Sequence, residues 1–421
     1  CTYYKISWEV IMLATLSKLY ILLILVISPI LTLFSLFGLL TFYPISFVVI
    51  GFGLFLLLCI MFTALYRGNI SVSLDDYLIL ASFVWFFVII ILHSNLYSYT
   101  EDGRYISALR YYSPFFIISL CCYFIFKKGY DFFRTRVGLY SLILMYSGLA
   151  VITILFFDSQ SFKIDFSKLI DPSFVGVYQI VSDSLAFTVI CMLSLSRTSK
   201  TLKIVIILIT LFFLLILNAR SGLIGFLLAL CFIFNVKKVV SEKPIFIIVG
   251  LLIALISLVI LIPDIEFISS FFENYNSRIY NIFSGNFSDD ASFLGRMKLL
   301  LHSLSIIGEH PFLGSFGSQA ETDIDGFGVR WGAYTHNIFV YWDQFGIIGF
   351  AFIVFVILTS WYNNKKLKRT AGIDLFALIV LVLSQQLFLK SFTYFYLFAM
   401  AGLIEGAKYV SKHNYNHQKL K

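Results

Sequence analysis

Apolar residues in this chain gather into long runs rather than alternating with polar ones. Runs fall at about 19–42, 44–65, 77–93, 111–126, 138–157, 178–195, 202–218, 221–236, 245–262, 337–361, 373–389 and 391–407. Crossing a bilayer as a helix takes about 20 mainly apolar residues. The pattern therefore predicts an all-α, polytopic integral membrane protein with about twelve transmembrane helices. Residues 7–16 are too short a run to span and read as an interfacial turn.

The basic residues orient the bundle, because short cytoplasmic loops collect Lys and Arg. With the N-terminus inside and strict alternation, 21 of the 31 Lys and Arg fall on the cytoplasmic side and 10 outside. Both termini are thus expected in the cytoplasm. Three outer loops are then long, at about 94–110, 158–177 and 263–336. The chain divides into N-terminal helices (1–262), one large periplasmic loop (263–336) and C-terminal helices with a basic tail (337–421). Loops of this length are usually functional. Inside the largest, "SFLGRMKLLLHSLSIIGEHP" (292–311) places Leu294, Met297, Leu301, Leu304 and Ile307 at helical spacing, with Pro311 as a stop. That is an amphipathic helix suited to the outer membrane–water interface.

Composition agrees with this reading. The 421 residues are 60% hydrophobic and 13% charged, beyond the range of ordinary soluble domains. A net charge of +8 could suggest nucleic acid, but the basic residues sit in short clusters between apolar runs, so no nucleic-acid partner is expected. Of the six Cys, five lie within or at the ends of apolar runs and no CxxC occurs, so they read as small buried hydrophobes. No Walker-type glycine loop is present, which leaves no visible ATPase.

Candidate chemistry gathers on the outer face. Arg220, in "LILNARSGLIGFLL", stands in a tight turn between two apolar runs. Its guanidinium either grips a phosphate in a polar cavity or snorkels to lipid headgroups; the residues alone support both readings. Arg296 lies off the apolar stripe of the loop helix and can equally be a solvated position, as can Arg330, Arg278, Arg104 and Arg110. Yet the outer face carries six Arg and four Lys while the inner face is Lys-rich, a bias that favours an anionic ligand outside. His336 is followed by Asn337 and preceded by Tyr334 and Thr335; it reads as a base for a hydroxyl or as an interfacial cap of the next helix. His310 is the polar edge of a helix stop. Asp323 and Asp325 form a D-x-D; a calcium loop fails because Gly332 stands where a bidentate Glu is required, leaving a metal-assisted role or a solvated acidic turn.

Taken in order, these pieces resemble the C-terminal region shared by the O-antigen polymerase and ligase superfamily. The pattern comprises Gly295-Arg296, the amphipathic helix, His310-Pro311-Phe312-Leu313-Gly314, Gly317, His336-Asn337 and Gly346-Ile347-Ile348-Gly349, with "ARSGLIGFLLAL" resembling the family's other marked arginine. The resemblance covers about 215–350; the outer loop is more compressed than the family's, and the N-terminal half matches only as apolar helices. It implies a GT-C-like enzyme in the bacterial inner membrane whose site faces the periplasm. Such enzymes move glycans from undecaprenyl diphosphate, a polymerase onto the next lipid-linked repeat unit and a ligase onto lipid A core. Both are inverting transferases that need no metal and no cofactor. The resemblance assigns Arg220 and Arg296 to the diphosphate and His336 to the acceptor hydroxyl. Arg330, Arg104, Asn337, Tyr334 and His310 become supporting contacts. Its expected partners are the lipid-linked donor and acceptor, membrane lipids and a chain-length regulator. A polymerase is the leading expectation and a ligase the next. A flippase for lipid-linked sugar is the alternative of another class. It would need charges deep along a transport path, whereas these gather on one face.

Overall fold

The computed structural model describes residues 2–40, 45–66, 73–96, 100–101, 104–105, 108–159, 163–170, 177–196, 198–233, 291–317, 336–388, 390 and 393–419. These are overwhelmingly helical: α1 (Thr2–Leu22), α2 (Ser28–Leu36), α3 (Ile45–Tyr66), α4 (Leu74–Leu96), α5 (Ala108–Lys128), α6 (Arg136–Phe156), α7 (Val177–Leu195), α8 (Lys200–Ile216), α9 (Arg220–Ile233), α10 (Ala291–Glu309), α11 (Val340–Ala371), α12 (Phe376–Phe388) and α13 (Tyr396–Lys419). Two minimal hairpins, Thr100–Glu101 with Arg104–Tyr105 and Phe157–Asp158 with Lys163–Ile164, close loops.

Among the described residues, five helical stretches are long and apolar enough to cross a membrane: Ile11–Leu36, Leu74–His93, Arg136–Phe156, Tyr178–Leu195 and Val340–Ala371. Phe47–Thr63, Ser221–Ile233 and Phe376–Leu387 are shorter apolar helices. Large apolar side chains such as Phe47, Phe62 and Ile154 are more than 70% exposed on the bundle's flank, which suits a surface solvated by lipid rather than water. Eleven of the twelve predicted runs coincide with these helices; the run at 245–262 lies outside the described residues.

One expectation is corrected. Residues 7–16 form no interfacial turn: they belong to α1, which continues through a π-helical turn (Leu23–Ile27) into α2. The polar residues that seem to end the run are satisfied in place. Ser17 Oγ donates to Leu13 O at 2.8 Å, and Lys18 Nζ reaches Asp131 Oδ2 at 2.7 Å. Helix α11 also outruns its predicted limit of 361, because Asn363, Asn364 and Lys368 are used as ties at its far end.

Close contacts fix which helix ends lie together. A Cβ on Gly402 would stand 2.2 Å from Tyr123 O and one on Gly406 2.2 Å from Lys127 O, so α5 and α13 run parallel in backbone contact. Ser182 of α7 packs on Gly222 of α9, which brings the starts of those two helices together. Gln385, near the end of α12, donates to Ser221 O at the start of α9. The ends of α4 and α12 therefore share one end of the bundle with the starts of α5, α7, α9, α11 and α13. The opposite end is cross-tied by charge. Asp76 binds Lys127 at 2.7 Å and the Tyr123 hydroxyl at 2.9 Å, while Lys408 bridges Glu405 at 2.8 Å and Asp75 at 3.3 Å. Such pairs are costly to break in a low-dielectric bundle because each partner would be left buried and uncompensated.

Candidate active site

At the first end, α10 leads through the turn His310–Gly317 toward the start of α11. The helix stops at Glu309 because Pro311 cannot continue it. The turn then folds onto α11. Ser315 N donates to Asp343 O at 2.7 Å, Ile347 N to Pro311 O at 3.0 Å, and Trp342 Nε1 to the same Pro311 O at 2.9 Å. Gly317 N donates to Gln344 Oε1 at 3.0 Å.

This docking breaks α11 at Gly346, whose φ of 69° and ψ of −178° lie outside the helical region. Gly314, with φ of 70°, is its counterpart in the turn. Left-handed φ is the province of glycine, since a Cβ collides with the backbone there. The space is equally restrictive: a Cβ on Gly346 would fall 1.9 Å from Phe312 O. The His-Pro-x-x-Gly and Gly-Ile-Ile-Gly pieces are thus two halves of one joint.

Residues far away in sequence support the joint. His93, buried at the end of α4, accepts from Phe316 N through Nδ1 at 3.1 Å. Trp85 Nε1 donates to Phe345 O at 2.9 Å, a carbonyl next to the helix break. Phe345 packs on Phe86, Phe116 and Phe316 with ring centroids 4.6, 5.6 and 5.3 Å apart. Asp343 is buried, and its Oδ2 accepts from Ser303 of α10 at 3.1 Å. Leu299 and Ser303 are the buried face of α10, whereas Leu294, Met297, Leu301 and Leu304 point outward and are exposed. Four of the five predicted stripe residues are therefore turned away from the protein, and the fifth, Ile307, is half-buried.

Of the predicted residues, His336 and Asn337 stand immediately before α11, both half-buried. Asn337 Oδ1 accepts from Phe339 N at 2.9 Å, so Asn337 shapes the turn that enters the helix. His310 is exposed at the start of the docked turn. Arg296 lies half-buried on α10, in the same docked unit as His310. Arg220 is the first residue of α9, and Arg104 lies in the short hairpin after α4. Arg330, Tyr334, Thr335, Asp323, Asp325 and Arg278 fall outside the described residues. Among the described residues no three His, Cys, Asp or Glu are grouped so as to hold a metal ion. The free cysteines Cys121, Cys122 and Cys191 are buried and Cys231 is exposed.

Sequence reasoning missed four polar residues of this end: His93, Asp343, Asp183 and Lys390. His93 and Asp343 pass as helix-end polarity. A signal existed for the other two, since Asp183 and Lys390 are isolated charges within or beside apolar runs, the positions where a membrane protein places functional groups.

Among the described residues the fold defines a helical membrane protein with several apolar spans and a glycine-hinged turn docked at one end of the bundle. A family model described as O-antigen ligase matches residues 204–354, from α8 to the middle of α11. This segment carries the domain of the O-antigen polymerase and ligase superfamily. No curated protein matches the chain.

Proposed function

We propose that the protein is a repeat-unit polymerase of this superfamily, acting at the periplasmic face of a bacterial inner membrane on glycans carried by undecaprenyl diphosphate. The bundle would cross the membrane about twelve times with both termini in the cytoplasm. The observation that supports the superfamily part of this reading is the family match over 204–354, whose limits enclose Arg220, Arg296, the docked turn and His336.

In this mechanism the acceptor hydroxyl oxygen attacks the anomeric carbon of the donor sugar from the face opposite the diphosphate. One carbon–oxygen bond forms as the bond to the diphosphate oxygen breaks, and the electron pair leaves with undecaprenyl diphosphate. The hydroxyl proton passes to His336. Arg220 and Arg296 meet the charge that grows on the leaving group. Arg330, Arg104, Tyr334, Asn337 and His310 orient donor and acceptor. The donor is already activated, so no nucleotide is consumed. The outward stripe of α10 lies in the outer lipid headgroup region, where the lipid-linked substrates approach.

A ligase is the second reading, favoured by the description of the matching family. Deleting the gene and resolving surface glycan on a gel separates the two. Loss of a polymerase leaves single repeat units on the lipid core; loss of a ligase leaves a bare core, with polymer stranded on undecaprenyl diphosphate. Unchanged glycan would remove both.

A further inference from the structure

Across the first end of the bundle from the docked turn lies a second polar cluster. Lys390, between α12 and α13, binds Asp183 of α7 with Nζ–Oδ2 at 2.6 Å, and both side chains are nearly sealed from solvent, at 11% and 5% exposure. The pair flanks the start of α9. Ser182 touches Gly222, Gln385 donates through Nε2 to Ser221 O, and Gln386 donates through Nε2 to Lys390 O. Four of these residues leave an oxygen unmet. Asp183 Oδ1, Ser182 Oγ, Gln385 Oε1 and Gln386 Oε1 have no hydrogen-bond partner among the described residues, and all four residues are at least 95% buried.

This arrangement is expensive as a purely structural device. A buried ion pair stabilises only when its remaining hydrogen-bonding capacity is satisfied, and an apolar pair of like volume is often as stable or more so. Orphaned buried acceptors are costly because nothing replaces the water they have lost. The first turn of α9 adds the positive end of a helix dipole, with Arg220 as its first residue. The positive end of α9, beside the Lys390 ammonium, favours an anion. The free carboxylate and amide oxygens call for hydroxyl donors. A phosphate alone answers only the first demand; a sugar attached to a diphosphate answers both.

We propose that Lys390, held in place by Asp183, is a binding residue for the glycosyl diphosphate end of the lipid-linked donor. Lys390 and the start of α9 contact phosphate, while Asp183 Oδ1 and the Gln386 carbonyl oxygen accept from hydroxyls of the first sugar. The inference rests on the polymerase or ligase reading above and adds residues to its donor site.

The test uses the full-length protein in phosphatidylethanolamine–phosphatidylglycerol nanodiscs, with binding read by tryptophan fluorescence. The probes are undecaprenyl diphosphate and the lipid-linked repeat unit extracted from cells deleted for this gene. The variants are Arg220→Ala, Lys390→Met, Gln386→Met and the double change Asp183→Leu with Lys390→Met. Lys390→Met is expected to weaken both probes at least tenfold. Gln386→Met should weaken the repeat unit several-fold and leave undecaprenyl diphosphate unaffected. The double variant removes the buried charges together, so it should melt at or above the temperature of the unaltered protein yet bind as poorly as Lys390→Met. A double variant that binds both probes normally would make the pair structural and overturn the inference. If Arg220→Ala alone then loses binding, the functional reading stands without Lys390. No binding by the unaltered protein would overturn both. Equal losses of the two probes in Gln386→Met would overturn the assignment of sugar hydroxyls.

Discussion

Gly314 and Gly346 pack backbone to backbone, so that a Cβ on Gly314 would lie 2.6 Å from Gly346 N. Each has φ near +70°, and each lies in a different one of the two short motifs that mark this region of the chain. Replacing either by alanine therefore combines left-handed strain with a backbone collision. Gly346→Ala should cost on the order of 3 kcal/mol. Thermal melts in detergent check this, and Gly308→Ala, at a helical position with open space around it, is the comparison. Equal melting of Gly346→Ala and the unaltered protein would mean that the joint does not exist.

His336→Ala should lower turnover by about 10²–10⁴-fold while leaving the affinity for undecaprenyl diphosphate within a factor of about three, because a general base acts on the acceptor and not on the leaving group. Turnover and lipid binding measured on the same preparation separate the two effects. Full activity in the variant would move the base elsewhere.

His93 acts at a distance. It supplies an acceptor to Phe316 N, and an asparagine Oδ1 can stand close to where the imidazole Nδ1 stands. His93→Asn should therefore retain much of the activity, whereas His93→Leu leaves a buried N–H orphaned at a cost of about 1–3 kcal/mol. The contrast is read in melting temperature and in turnover. Identical behaviour of the two variants would show that the hydrogen bond is irrelevant.

At the opposite end, Asp374 is tied to Lys368 at 2.5 Å, to Phe376 N at 3.0 Å and to Asn364 at 3.2 Å. Partial burial pushes its carboxyl up, but these hydrogen bonds and the ammonium outweigh that and hold it below the usual carboxylate range. The folded pKa is thus lower than the unfolded one. The associated stability is present above about pH 4 and is lost as pH falls through the folded pKa. Melting of the unaltered protein and of Asp374→Asn should differ at pH 6, and the difference should shrink as pH falls below about 4. A constant difference across that range would remove Asp374 from the clamp.

Turnover should survive chelation of divalent metal, since arginines take the place of a cation in the scheme. Loss of activity with chelator and recovery with added metal would turn attention to Asp323 and Asp325.

Much of the fold was legible because bilayer solvation imposes a simple rule on sequence: spans must be apolar and about 20 residues long. Runs such as 138–157 and 178–195 map onto α6 and α7 within two residues. The rule fails where a polar residue finds a partner inside the bundle. Ser17 and Lys18 hide the continuity of α1, and Asn363 and Asn364 hide the true end of α11, since a hydrogen bond to Asp75 or to Leu375 N cannot be read from local sequence. The same holds at the site. Gly314, Gly317 and Pro311 announced a turn through backbone chemistry, but nothing local says that this turn rests on His93, more than two hundred residues earlier.

The support given by Trp85 and His93 bears on how this protein can be divided. Both belong to α4, outside the segment that matches the family, yet they hold Phe345 and Phe316 on either side of the joint. A fragment limited to 204–354 would carry every matched motif and still lack the wall against which those motifs set their shape. Exchanging that segment between two such proteins would succeed only when α4 travels with it.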